Sequence, residues 1–183
     1  MPGMTVLRSL VLLLVLPSLA FAKNQNTVKA PAPAKPQGFR AEFLANLDEV
    51  QSKILELAEA VPADKYSWRP GPGVRSISEV YMHVAGGNYF LASFLGVDAP
   101  KQKGDIEMKI TKKAEVLAEL RRSFDHLRNA ANGSNDLEKP VKMFGQQTTH
   151  RGVLLTTLTH LHEHLGQAVA YARMNGVVPP WSR

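Results

Sequence analysis

Apolar residues in this chain recur at steps of three and four, and that spacing constrains its fold more than any other feature. Phe43, Leu47, Val50, Ile54, Leu57 and Val61 form one such row, which predicts an amphipathic helix from about Phe39 to Val61, stopped by Pro62. A loop with Tyr66, Trp68 and breakers at Pro70, Gly71 and Pro72 follows. Ser76 and Glu79 then have capping-box spacing and open a second helix that runs to Leu95, with Gly96 behind it. A third helix is expected from about Lys112 to Ala131, with Thr111 as its N-cap and Asn132-Gly133 as its stop. The fourth runs from about Arg151 to Met174 and closes on Asn175-Gly176. No stretch alternates as a strand would, so the loop from Ser134 to Gln147 is expected to be irregular. Four helices joined by short and medium loops bury their stripes most simply as an all-α, antiparallel four-helix bundle.

The chain ahead of the first helix has a different character. Arg8, the apolar run Leu10–Leu16 and the Ala20-Phe21-Ala22 triplet form a secretory signal pattern, with cleavage expected after Ala22. The apolar run is shorter than the roughly 20 residues that a bilayer span needs. The mature chain is thus expected to be exported, periplasmic or extracellular, and without a stable membrane anchor. Residues 23–38 are rich in Pro, Ala and Lys and read as a semi-extended tether. The 183 residues include no cysteine, which excludes disulfides, thiolate ligands, a cysteine nucleophile and lipoprotein anchoring. The net charge of +6 prompts a nucleic-acid reading. Its candidate stripe (Lys101, Lys103, Lys109, Lys112, Lys113, Arg121 and Arg122) is interrupted by Asp105, Glu107, Glu115 and Glu119, and no recognition motif accompanies it. No nucleic-acid partner is expected.

The candidate chemistry lies in the fourth helix, where histidines stand at positions 160, 162 and 164. At about 100° per residue, His160 and His164 lie about 40° apart, one turn along the same face. His162 points roughly 160° to 200° away from both, so it is excluded from an ion shared by the other two. A His-xxx-His pair is a recurrent grip for zinc, although such pairs also arise by chance on surfaces. Val153, Thr157, Gln167 and Tyr171 share the face, and the stripe Leu154, Leu158, Leu161 and Leu165 lies beside it. The pair is therefore expected at the bundle interior or its mouth. A third ligand should come from another helix, and His83 is the candidate, among Val80, Gly87, Phe90 and Leu91. Taken alone, His83 would more often be a hydrogen-bonded core histidine. Gly86-Gly87 would allow a neighbouring helix to approach closely there. His126 and His150 read as surface or supporting residues, and His150 lies about 15 Å along the helix from His160.

These residues resemble a known family. The run VPADKYSWRPGPGVRSISEVYMHVAGGNYFLASFLG is similar to the first half of the DinB superfamily (DinB/YfiT-like), and HLHEHLGQAVAYARMNGVVPPWS to its last helix and tail. The resemblance covers about residues 39 to 183. It implies a four-helix bundle in which His83, His160 and His164 ligate one divalent metal ion, zinc or nickel. Many members carry Arg-Gly-Gln after the last ligand; here Leu165 replaces the arginine. The superfamily includes thiol-dependent transferases and isomerases, and many members have no known reaction.

Two classes of function remain open at this point. One is a metalloenzyme with hydrolase or thiol-transferase-like chemistry on a small molecule, using a fourth coordination position for water or substrate. Gln167, Tyr171 and Tyr89 are its candidate supporting or substrate contacts, and Glu163 could face the mouth or solvent. The other is a non-catalytic bundle that binds a metal or small ligand. An interaction role for the basic face rests on charge alone. A homodimer is compatible with either class.

Overall fold

In a computed structural model of the chain, residues 38–101 and 105–182 are described. The expected leader over 1–22, and the tether except Gly38, lie outside the described residues.

Besides two single-turn 3-10 helices, the described residues form five α-helices and one hairpin: α1 (Phe39–Ala60), α2 (Ile77–Ser93), α3 (Ile106–Lys109), α4 (Lys113–Gly133), β1 (Pro140–Met143), β2 (Gln146–Thr149) and α5 (His150–Met174). The four long helices form the bundle. In it α1 packs on α4 and α5, and α2 packs on the same two from the other side. Side-chain contacts give the directions. Near the end of α1, Glu59 and Val61 offer carbonyls to Lys113 at the start of α4, at 2.6 and 2.7 Å. At the other end, Arg40 reaches the Ser134 carbonyl. These two helices therefore run antiparallel.

The apolar row of α1 is wholly internal: Phe43, Leu47, Val50, Ile54 and Leu57 are buried to within 1%. Val116, Leu120, Phe124 and Leu127 of α4 and Val153, Leu154 and Leu161 of α5 meet them. This contiguous apolar contact is the main favourable term in folding, about 25 cal/mol per Å² removed from water. The loop after α1 is pinned to it. Tyr66 donates its hydroxyl proton to the Ala58 carbonyl at 2.8 Å, and its own carbonyl accepts from the Ser78 N–H. The capping box of α2 forms as expected, with the Glu79 N–H donating to Ser76 Oγ and the Ser76 N–H donating to Glu79 Oε2.

Three expectations are corrected. Between α4 and α5 the chain is not irregular but forms an antiparallel hairpin, with Met143 paired to Gln146 and Pro140 to Thr149. Its two-residue turn places Phe144 at φ +51° and Gly145 at φ +82°. The strands are four residues each and largely polar, too short to show alternation, and the turn is Phe-Gly rather than the more recognisable Asn-Gly. Lys112, not Thr111, occupies the N-cap position of α4, with no side-chain cap. His150 is buried rather than superficial, because the hairpin returns it to Ser134, whose hydroxyl lies 2.7 Å from its Nδ1. Among the described residues, no helix is long and apolar enough to cross a membrane.

Candidate metal centre

Two helices and one connecting segment build the site. His83 comes from the middle of α2, and His160 and His164 come from consecutive turns of α5. The helices cross here in opposite directions, so that Gly87 faces His160 while His83 reaches His164. One imidazole nitrogen from each histidine lies within 4.8 Å of the other two. Ring centroids are 5.3 Å apart for His83–His160 and 4.6 Å for both His83–His164 and His160–His164.

The absence of a side chain at Gly87 makes room for the second imidazole. A Cβ built at Gly87 would stand 2.3 Å from His160 Cε1, far inside contact distance. Gly86, by contrast, would meet only Ile106 Cδ1, at an ordinary 3.7 Å.

Hydrogen bonds orient two of the three rings from behind. His83 Nδ1 donates to Glu107 Oε1 at 2.7 Å, and Glu107 is held in turn by Arg75 Nε at 2.7 Å. His164 Nδ1 donates to Gln167 Oε1 at 2.9 Å, and Gln167 Nε2 donates to the Tyr171 hydroxyl at 3.1 Å. The Tyr171 ring meets Trp68 edge-on at 5.5 Å, which ties this chain of contacts to the loop before α2. Both Nδ1 atoms thus carry protons directed outward, and both Nε2 lone pairs are left facing the centre. His83 Nε2 and His160 Nε2 stand 3.4 Å apart. Two nitrogens bound at about 2.0–2.1 Å to one tetrahedral ion stand about 3.3–3.4 Å apart, so the spacing fits a shared divalent cation. His160 Nδ1 is buried without a hydrogen-bond partner.

Charge points the same way. Burial, followed by the neighbouring His164 and His83 and by Arg75, pushes the His160 pKa down to about 4. Burial also lowers that of His164, despite the opposing hydrogen bond to Gln167. Burial raises the Glu107 carboxyl, but the hydrogen bonds and charges of Arg75 and His83 outweigh it and hold the carboxyl below its ordinary range. Imidazoles held neutral at His160 and His164, with an ionised carboxylate behind His83, form a donor set suited to a divalent transition metal.

The family follows from the sequence as a whole. Residues 46–168 match the model of the DinB superfamily. The chain belongs to that superfamily. No curated protein matches its sequence. Two solved structures share the fold. A DinB-like protein from Bacillus cereus superposes with a TM-score of 0.66 at 18% identity, covering 75% of this chain and 93% of the other. A DinB-like protein (YjoA) from Bacillus subtilis superposes with a TM-score of 0.61 at 19% identity, with the same coverage.

Within this DinB bundle the expected site residues separate. His83, His160 and His164 are brought together, and Gln167 and Tyr171 lie directly behind His164. His162 is exposed and turned back to the Leu158 carbonyl at 2.8 Å. Tyr89 is not brought to the triad: it faces α4, where its hydroxyl donates to Glu119 at 2.9 Å. Glu163 is exposed yet lines the cavity that opens over His83 and His160, of about 420 Å³. Glu107 and Arg75 were missed in the sequence. Asp105, which caps the single turn of α3 by accepting from the Glu107 N–H, was the available signal that this loop holds a short helix.

Proposed function

We propose that this chain is an exported metal-dependent enzyme that holds one divalent ion, zinc or nickel, with His83, His160 and His164. The observation that carries this reading is the convergence of three imidazoles, two of which line an open cavity, with the Nδ1 atoms of two of the three tied outward. A purely structural metal is normally closed off by a fourth protein ligand, whereas here a cavity adjoins the triad. A bound ion would supply Lewis acidity, polarising an oxygen or sulfur and lowering the pKa of a bound water or thiol. The chain's own groups divide the remaining work. Glu107 and Gln167 keep His83 and His164 in the tautomer that offers Nε2. Arg75 keeps Glu107 ionised. Glu163, at the cavity wall, is the carboxylate positioned to accept a proton from a water or substrate bound there. Hydrolysis and thiol transfer are the reactions this set would serve, on a small molecule rather than on nucleic acid.

Metal analysis of the protein purified after export without a His tag tests the reading, together with absorption spectra of its cobalt-substituted form. One ion per chain is expected, with a four- or five-coordinate spectrum that changes when a small anion such as azide is added. A spectrum blind to added anions, or complete unfolding on chelation, would instead make the metal a staple of a non-catalytic bundle. Export is tested by mass spectrometry of the released protein, which should begin at Lys23.

A further inference from the structure

The cavity over the triad has an aromatic rim. Phe90, three residues beyond Gly87 on α2, and Phe144 at the hairpin turn both line it. Both rings are open to solvent, Phe90 at 50% and Phe144 at 68% exposure. Their centroids are 5.9 Å apart with the planes tilted by 40°, and Phe94 supports them at 5.1 Å from Phe90 and 6.2 Å from Phe144.

Ring-on-ring contact accounts for only part of this arrangement, since half or more of Phe90 and of Phe144 stays open to solvent. Exposed aromatic rings in a cluster gain little from burial and invite unwanted association. Phe144 also sits at φ +51°, in the left-handed region that glycine and asparagine occupy readily and bulky side chains avoid. The turn thus holds a ring in an unfavourable backbone conformation, over the mouth of the metal centre. Backbone outliers of this kind, in a position that shapes a cavity, point from structure to function. The cavity lining joins His83 and His160 to the apolar side chains of Phe90, Leu91 and Phe144.

We infer that the substrate pairs a metal-binding head with an aromatic ring, and that the ring is received by Phe90 and Phe144. The inference rests on the metal reading above and adds the substrate class. An aromatic guest would contact both rings at the separations such pairs prefer, about 4.5–7 Å. Volume is consistent as well: about 420 Å³ lies within the range of small-molecule pockets.

Two hydroxamates differing only in the ring, acetohydroxamate and benzohydroxamate, test this by calorimetry on the zinc-loaded exported protein. Benzohydroxamate should bind at least about tenfold tighter, the size of a well-formed aromatic contact plus its buried area. Phe90→Ala and Phe144→Asn (which tolerates the left-handed turn) should each remove most of that preference and leave acetohydroxamate affinity unchanged. Met174→Ala, an exposed apolar control at the end of α5, should change neither. Equal affinities for the two probes in the unaltered protein overturn the proposal. If the protein retains no metal, the metal reading fails by itself. The aromatic slot is then judged in the metal-free protein by titrating toluene and following the ¹³C-labelled phenylalanine rings: shifts of Phe90 and Phe144 support it, and their absence overturns it. A dimer that Phe144→Asn dissociates, combined with rings unresponsive to toluene, assigns the rim to a contact between copies and also overturns it.

Discussion

His83 and Tyr89 both stand on α2, six residues apart, and their surroundings have opposite hydrogen-bond geometry. Towards α4, the bonds close on the bundle itself. Tyr89 donates to Glu119, Asn88 Nδ2 donates to Ser123 Oγ at 3.1 Å, and Ser123 donates to the Leu120 carbonyl at 2.8 Å. Burial, and then the bond to Glu119, raise the Tyr89 pKa, so the phenol stays protonated as a donor. Towards α5, the bonds run away from a common centre: His83 to Glu107 and His164 to Gln167. The first cluster bonds across two helices, with Asn88 Oδ1 alone left buried and without a partner. The second is arranged so that acceptor nitrogens confront one another, which is unfavourable until something electron-poor lies between them. Buried polarity alone does not mark a site; the direction in which its hydrogen bonds point does.

That contrast can be broken most decisively at the ligands. His83→Ala, His160→Ala and His164→Ala should each lower metal affinity by about two or more orders of magnitude, read by competition with a chelator, whereas His162→Ala should retain the metal. Loss of metal from His162→Ala with retention in His160→Ala would falsify the face assignment of α5. Gly87→Ala comes next. Its methyl group must displace the His160 ring, so metal affinity should fall at least about tenfold while the helical circular-dichroism signal stays the same. Glu107→Gln keeps the shape but loses the charge behind His83, and should weaken metal binding about 10-fold or somewhat more, with little change in melting temperature. Equal affinity would reduce Glu107 to a surface partner of Arg75.

The metal-free protein sharpens the comparison through pH. His160 titrates near 4 when folded, against an ordinary value of 6.5, and His164 is shifted in the same direction. The unfolded chain therefore binds more protons than the folded one between these values. Stability is unaffected above about 6.5 and declines as pH falls from there towards 4. Melting curves of chelated protein should show the decline, and His160→Gln should flatten it. A decline as steep in the variant would place its origin elsewhere. The smallest effect belongs to the α4 side: Tyr89→Phe should cost about 1 kcal/mol of stability in urea and leave metal content unaltered. If that variant lost metal, the two clusters would be coupled and the distinction between them would fail.

Much of the bundle was legible before the structure. The row Phe43–Leu57 went to the core, the capping box at Ser76 and Glu79 formed, and the helix ends came within a few residues of their signals. The same periodicity separated His162 from His160 and His164. Tyr89 was harder. On α2 nearly every face is covered by a neighbour, so apolar company did not say which neighbour a given residue meets.

What the sequence determined by itself was therefore local: which residues are helical, where helices stop, and which side chains share a face. Helical geometry relates residues within about one turn of one another, and short-range sterics and capping suffice to set it. What only the tertiary structure decided was everything brought in from the connections. Glu107 reaches His83 from a four-residue helix, Arg75 reaches Glu107 from a loop, and Phe144 reaches the cavity from a hairpin turn. The position of each depends on how separate helices dock, and a contact across 24 residues (His83 to Glu107) leaves no periodic trace in the chain.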